Sequence, residues 1–217
     1  MGLTVKSSDT GTGGTFTTVP AGMHLARCYR IVDMGTQKSV WKGKEKQLHK
    51  VMIQFEIHSE DTDGTPLVTS KGEPLSISKN MTASLGEKAA LRIELENWRS
   101  RPFTAEELNG FELKNILGAW AMLSVIKAAG ADGKEFTNIS SINPVPASLK
   151  RTGLPEGHNE LKVFDLENPD LELFETFSNY TKEKIQSSPE WQLSQGSYQQ
   201  GAIASANSPF PDEDIPF

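Results

Sequence analysis

The sequence predicts a mainly β fold of the α+β class, with five strands and a helical insert between the third and fourth strands. The first indication is alternation: in residues 50–58 (KVMIQFEIH), apolar side chains fall on one face and mostly polar ones on the other, which is typical of a half-buried strand. The second is a change to helical spacing after residue 84. The third is size, because 217 residues with 36% hydrophobic side chains suffice for one ordinary core but not for several domains.

The first predicted strand covers residues 24–34 (HLARCYRIVDM), which are rich in β-forming side chains. We expect it to end at the sequence MGTQ, because Gly35 interrupts the pattern. Residues 38–50 (KSVWKGKEKQLHK) then contain five lysines and one glutamate around Trp41 and the turn-forming Gly43. This composition indicates an exposed basic loop or hairpin tip.

The remaining predicted strands follow the same reasoning. Residues 50–58 form the second strand, residues 59–74 are a turn-rich loop, and residues 75–82 form the third strand. After the insert, residues 120–128 and 136–145 form a two-stranded hairpin that ends at two prolines.

The helical insert is indicated by two capping signatures. Ser84 with Glu87 matches a capping box and predicts a helix of about 13 residues. Thr104 with Glu107 matches a second one and predicts a shorter helix. Residues 111–118 (FELKNILG) have the composition of a further helical piece.

Three strands, a helical insert and a two-stranded hairpin follow one another as in a five-stranded oligonucleotide/oligosaccharide-binding (OB) barrel, although other five-stranded folds share this order. We therefore predict an OB-fold domain over residues 21–150, preceded by a flexible, Gly- and Thr-rich arm over residues 1–20. Residues 151–186 form an acidic extension whose apolar side chains indicate that part of it docks as a helix. Residues 187–217 are expected to be a disordered linker with an acidic tip, which completes a disordered acidic C-terminal tail.

Charge is distributed unevenly along the chain. The net charge of −6 combines about +3 in residues 1–151 with about −9 in residues 152–217. An acidic tail behind a mildly basic body is associated with nucleic-acid interaction, because a partner responds to the local field.

Cysteine count and hydropathy limit the location of the protein. The single cysteine, Cys28, excludes an intramolecular disulfide and a cysteine zinc cluster, and on a strand it is most simply a small buried apolar residue. No apolar stretch is long enough for a membrane helix, and the polar N-terminus shows no secretory signal. We expect a cytoplasmic protein without a membrane partner.

The C-terminal tip is the most specific feature of the sequence. Three acidic residues precede a short apolar end, in the order Asp212, Glu213, Asp214, Ile215, Pro216, Phe217. The aromatic ring and a carboxylate can enter a small pocket, while the acidic side chains face lysines and arginines outside it. The tip therefore reads as a partner-binding peptide, and a merely solubilising tail does not explain its apolar end.

The ending DEDIPF resembles the C-terminal tip of bacterial single-stranded-DNA-binding proteins. The stretches YRIVDMGTQ (29–37), SISKNMTASLGEKAALRIELENWRSRPFTAEEL (76–108) and FELKNILG (111–118) are similar to a phage family of single-stranded-DNA-binding proteins with OB-folds. The chain departs from the bacterial pattern in its longer helical insert and in Glu213, where an unbroken aspartate run is common. The resemblance implies binding of single-stranded DNA in phage replication, recombination or repair, in the bacterial host cytoplasm, and recruitment of host or phage proteins through the tip.

Single-strand binding without sequence preference needs cations along the phosphates and flat rings on which bases stack. The basic segment around Trp41 supplies both, and two strands contribute further candidates. The predicted DNA-binding residues are Arg27, Tyr29, Lys38, Trp41, Lys42, Lys44, Lys46, Lys50 and Lys79. Tyr29 is also compatible with a core position, since a tyrosine on a first strand is often buried.

Other functions remain open at this point. A strand-annealing or recombination-mediator protein, or an OB-fold adaptor that binds protein rather than nucleic acid, fits the same pattern, and a homo-oligomer is compatible with each. The four histidines lack metal-ligand spacing, and no GxxxxGK[ST] or GxSxG motif occurs. We therefore expect no enzymatic activity, no metal and no cofactor.

Overall fold

The computed structural model describes residues 18–41, 43–129 and 135–194, with Trp41 described in its backbone only. The strands are β1 (Gly22–Trp41), β2 (Lys44–Ile57), β3 (Ser76–Thr82), β4 (Trp120–Ala129), β5 (Glu135–Asn143) and β6 (Lys162–Phe164). The helices are α1 (Ala90–Arg99), α2 (Ala105–Asn109), α3 (Ala147–Thr152), α4 (Leu171–Glu175) and α5 (Asn179–Gln186), with a 3₁₀ helix over Leu113–Ile116.

The fold is mainly β, as the sequence predicts. Five strands form an antiparallel path in the order β3-β2-β1-β4-β5, and the short β6 adds to β1 in parallel. The helical insert of α1, α2 and the 3₁₀ helix lies between β3 and β4, at the predicted place. Among the described strands the path is open between β3 and β5, so closure into a barrel is not confirmed.

The ribbon of β1 and β2 is longer than predicted. Pairing continues to Trp41 opposite Lys44, so most of the predicted basic loop belongs to the two strands. The expected break at Gly35 is wrong: the strand passes it as a bulge between Asp33 and Gly35. Gly35 has φ +64°, and its backbone N–H donates to the Asp33 carboxylate at 2.8 Å, so a local bond replaces the missing ladder bond.

Odd-numbered residues of β2 form its inner face, which packs into the larger of two hydrophobic cores. Its members include Val51, Ile53, Phe55 and Ile57. Helix α1 closes this core because its buried residues, Leu91, Leu95 and Trp98, recur at helical spacing. Cys28 is fully buried here, as predicted, and burial raises the pKa of its thiol to about 12.

Even-numbered residues of β2 form its outer face, part of which packs against the C-terminal segment. Val32, Met34 and Met52 contact a second core made by β6, α4, α5 and Trp191. Phe164 lies at its centre, with the Phe177 ring edge-on at a centroid distance of 5.1 Å. The acidic extension is thus packed on the sheet through two short helices.

The two predicted capping boxes have different outcomes. Thr104 and Glu107 form one at the start of α2, and Glu107 also pairs with Arg99 and Arg101. The hydrogen bond from Arg101 is the main reason that the pKa of Glu107 falls to about 2. Ser84 instead accepts from the N–H of Gly86, and α1 begins only at Ala90, so the first capping box is wrong. Within the described residues, no helix is long and apolar enough to cross a membrane.

Candidate nucleic-acid interface

A row of three lysines lies on the outer face of β2, beyond the edge of the second core. Lys44, Lys46 and Lys50 are all even-numbered residues of β2. Since side chains alternate along a strand, they lie on the same face. We call these three residues the lysine row. Lys44 and Lys46 are exposed, and Lys50 is half-buried with its Nζ donating to Thr82 Oγ1 at 2.8 Å. Three positive charges therefore follow one strand.

The other basic-segment candidates do not extend this row. Lys38 is exposed but pairs with Gln47, an odd-numbered residue, and so belongs to the inner face of the ribbon. The backbone of Trp41 lies opposite Lys44. Lys42 and the Trp41 side chain lie outside the described part of the chain.

The lysine row leads into a cavity between the sheet and α5. The cavity has a volume of about 190 Å³. Residues of β1, β2, β3 and α5 form its walls: Met34, Gln37, Lys50, Asn80, Tyr180 and Lys184. The Gln37 side chain donates to the carbonyl oxygens of Met34 and Lys184, at 2.7 and 2.8 Å, and so ties α5 to β1.

Tyr180 and Lys184 are site residues that sequence reasoning missed. Tyr180 is 63% exposed, and the Lys184 Nζ lies 5.7 Å from the centre of its ring. Both lie in the extension that the sequence marks as acidic. The available signal was their spacing of four on a helix with Ile185 buried behind them, which puts a ring and a cation on one surface.

Arg27 is committed to a buried cluster around Glu56. The carboxylate is fully buried and accepts from Arg27 Nη1 at 3.0 Å and from His58 Nε2 at 3.1 Å. The N–H groups of His158 and Asn159 donate to it at 3.0 and 2.7 Å, and the Asn159 side chain adds a bond of 2.6 Å. Burial alone raises the pKa of Glu56, but the bonds from Asn159, His58 and Arg27 outweigh it and hold the pKa below its usual value.

The same cluster explains a close approach at Gly157. A Cβ on this residue would lie 1.3 Å from Arg27 Nη1, so only glycine leaves room for the guanidinium. The outcome is a clamp, made of Arg27, Glu56 and the backbone of residues 157–159, that fastens the C-terminal segment to β1 and β2.

Tyr29 is 6% exposed, which leaves no open ring face for a base. The Arg30 guanidinium lies 5.3 Å from the centre of its ring. Burial is the main cause of the raised pKa of its phenol. Tyr29 thus has the core-like environment that the sequence left open.

Lys79 lies at the gap between β3 and β5. Its Nζ pairs with the Glu94 carboxylate of α1 and donates to the Ser140 carbonyl of β5 at 3.2 Å. Glu94 in turn accepts from the backbone N–H of Ile142 at 2.8 Å. Lys79 therefore links the two open edges of the sheet, away from the lysine row.

A second polar cluster fastens the C-terminal segment at the bulge. Glu190 accepts from the backbone N–H and the hydroxyl of Thr36 at 2.9 and 2.5 Å, and His49 lies between it and Asp33. Burial tends to raise the pKa of Glu190, but the bonds from Thr36 hold it below its usual value. Within the described residues, no group of three or more His, Cys, Asp or Glu side chains is placed to hold a metal ion.

The predicted partner-binding residues, 212–217, lie outside the described residues. No protein-family model matches the chain, and no curated protein matches it significantly.

Proposed function

We propose that the protein binds single-stranded DNA without sequence preference, through the outer face of its β1–β2 ribbon, in phage replication, recombination or repair. The observation that carries the proposal is the lysine row leading into a cavity with an exposed aromatic ring. Cations that follow a strand can pair with successive phosphates, and this is the electrostatic part of sequence-independent binding.

The sheet order supports an OB-type barrel as part of this proposal. In the path β3-β2-β1-β4-β5, the two open edges are the strands that would have to meet on closure. Lys79 and Glu94 already connect these edges through Ser140 and Ile142. We take the unpaired gap to be bridged by side chains and by α1, with the part of the outer face that carries the lysine row available to bind the DNA strand.

Recruitment of replication or recombination proteins by residues 212–217 is the second part of the proposal. It is supported by the order of charge and apolar side chains in Asp-Glu-Asp-Ile-Pro-Phe. A peptide of these six residues should compete with the full chain for the partner, whereas a peptide with Phe217→Ala should not.

The DNA-binding part is tested by fluorescence anisotropy with labelled oligo-dT at several salt concentrations. The lysine row and Lys184 supply four cations, so the slope of log K against log[salt] is expected to be about −2.8 for a single strand. Affinity should then fall roughly 50-fold between 50 and 200 mM salt. Replacing Lys44, Lys46 and Lys50 by glutamine should make the slope shallower by about 2.

A matched variant controls for net charge. Lys71, Lys114 and Lys127 are exposed lysines that lie off the outer face of β2, and their triple replacement by glutamine removes the same charge. This control should keep the wild-type slope. Binding that is insensitive to salt, equal affinity for duplex DNA, or equal losses in the two triple variants would contradict the proposal.

A further inference from the structure

Tyr180 is the most exposed of the described aromatic side chains, at 63%, followed by Phe136 at 43%. Its helix is nevertheless firmly held, because Ile185 is fully buried in the second core and Thr181 is 7% exposed. The Ser178 hydroxyl caps the helix by accepting from the N–H of Thr181. A flat ring thus stands in solvent on a backbone that packing keeps in place.

The surroundings of the ring are those that a nucleotide needs. Lys184 lies 5.7 Å from the ring centre on the same helix, and Lys50 lines the same cavity from β2. Asn80 and Gln37 add polar side chains to the wall. A base lying on the Tyr180 ring would have two lysines of the same cavity, Lys50 and Lys184, available for the adjoining phosphates.

We propose that Tyr180 is the base-stacking platform of the outer face, and that the C-terminal segment over residues 157–194 is a structural part of the DNA site. This inference rests on the proposed function. It assigns the stacking role to a helix outside the predicted OB domain, because Tyr29 is buried and leaves no open ring face. The acidic extension then has two opposite roles, since it holds an excess of negative charge and also brings a ring and Lys184 to the lysine row.

The test compares Tyr180→Ala, Tyr180→Phe and Lys184→Gln in the full chain, with labelled oligo-dT. Loss of one stacked base should weaken binding by about 5- to 150-fold in Tyr180→Ala, with the salt slope unchanged. Tyr180→Phe keeps the ring and should bind with close to wild-type affinity. Lys184→Gln should make the slope shallower by about 0.7. Phe136→Ala removes an exposed ring from β5 and should bind as the wild type does.

An oligonucleotide with abasic sites separates stacking from a general disturbance of the site. Without bases, wild type and Tyr180→Ala should bind it equally well. Equal affinity of wild type and Tyr180→Ala for oligo-dT, while the lysine-row variant still loses its salt dependence, would overturn this inference and leave the proposed function standing. Absence of any binding by the wild type would overturn both.

Discussion

The clamp at Glu56 allows a quantitative test of how the C-terminal segment is held. In Glu56→Ala, the half-buried Arg27 guanidinium keeps only the Asn159 carbonyl at 3.3 Å, and the donors of residues 158 and 159 lose the fully buried acceptor. Removing one partner of a buried ion pair costs about 3–5 kcal/mol. Glu56→Gln keeps one acceptor oxygen, so we expect a smaller loss of about 1–3 kcal/mol.

The assay is urea unfolding followed by tryptophan fluorescence at pH 7, with Glu73→Gln as control because Glu73 is exposed. The pKa of Glu56 is lower in the folded protein than the unfolded value of about 4.3. Its stabilising contribution is therefore complete above that value and is lost as the pH falls through the folded pKa. The difference between wild type and Glu56→Gln should shrink below about pH 4. A loss under about 1 kcal/mol in Glu56→Ala, or a pH-independent difference, would refute the clamp.

Three other perturbations have definite expected outcomes. Gly35→Ala should lower the free energy of unfolding by more than Gly43→Ala. Both residues have positive φ, but only at Gly35 would an added Cβ lie 2.5 Å from Ser188. Urea midpoints of the two variants measure this difference, and equal losses of stability would contradict it. Truncation after residue 156 should expose Val32 and Met52, because the second core that covers them is removed. We therefore expect a lower melting temperature and more dye binding to apolar surface. An unchanged thermal melt by circular dichroism would contradict this. Thr104→Ala should cost about 0.5–2 kcal/mol in chemical unfolding, whereas Thr104→Ser should be nearly neutral.

Most of the strand assignments could be predicted because alternation reports burial directly. Residues 50–57 of β2 have apolar side chains on the inner face and polar ones on the outer face, with Met52 as the exception in this stretch. Met52 is apolar although it lies on the outer face, and it packs into the second core. This single exception was the local sign that something covers the outer face, but alternation alone does not identify a cover that comes from residues 162–191.

The errors at Gly35 and Ser84 have the same physical origin. Gly35 was predicted to end the strand, and Ser84 was predicted to cap a helix. In each case a different hydrogen bond determines the local structure. At Gly35 the Asp33 carboxylate takes up the free N–H and allows the strand to continue. At Ser84 the hydroxyl is used by the N–H of Gly86 in a turn before the helix.

The candidate site was predictable in its charge but not in its membership. Lysine content marked residues 38–50, and strand pairing then separated Lys38 from Lys44, Lys46 and Lys50, which depends on where the strands end. Arg27 and Lys79 are bound by carboxylates distant in sequence. Tyr180 lies 130 residues from Lys50, so only the packing of α5 brings them to one cavity.

β2 contributes to both cores. The pairing register of this strand therefore determines three surfaces together: its inner face, the part of its outer face in the second core, and the lysine row. A one-residue deletion between Lys46 and Lys50 would leave the residues from Lys50 onward in place and would turn Lys44 and Lys46 to the opposite side of the ribbon. The overall composition would barely change, yet the row of positive charge would be divided between two sides. Length in this hairpin is therefore constrained more tightly than residue identity, and insertions are expected to be tolerated in the loop over residues 59–74 rather than here.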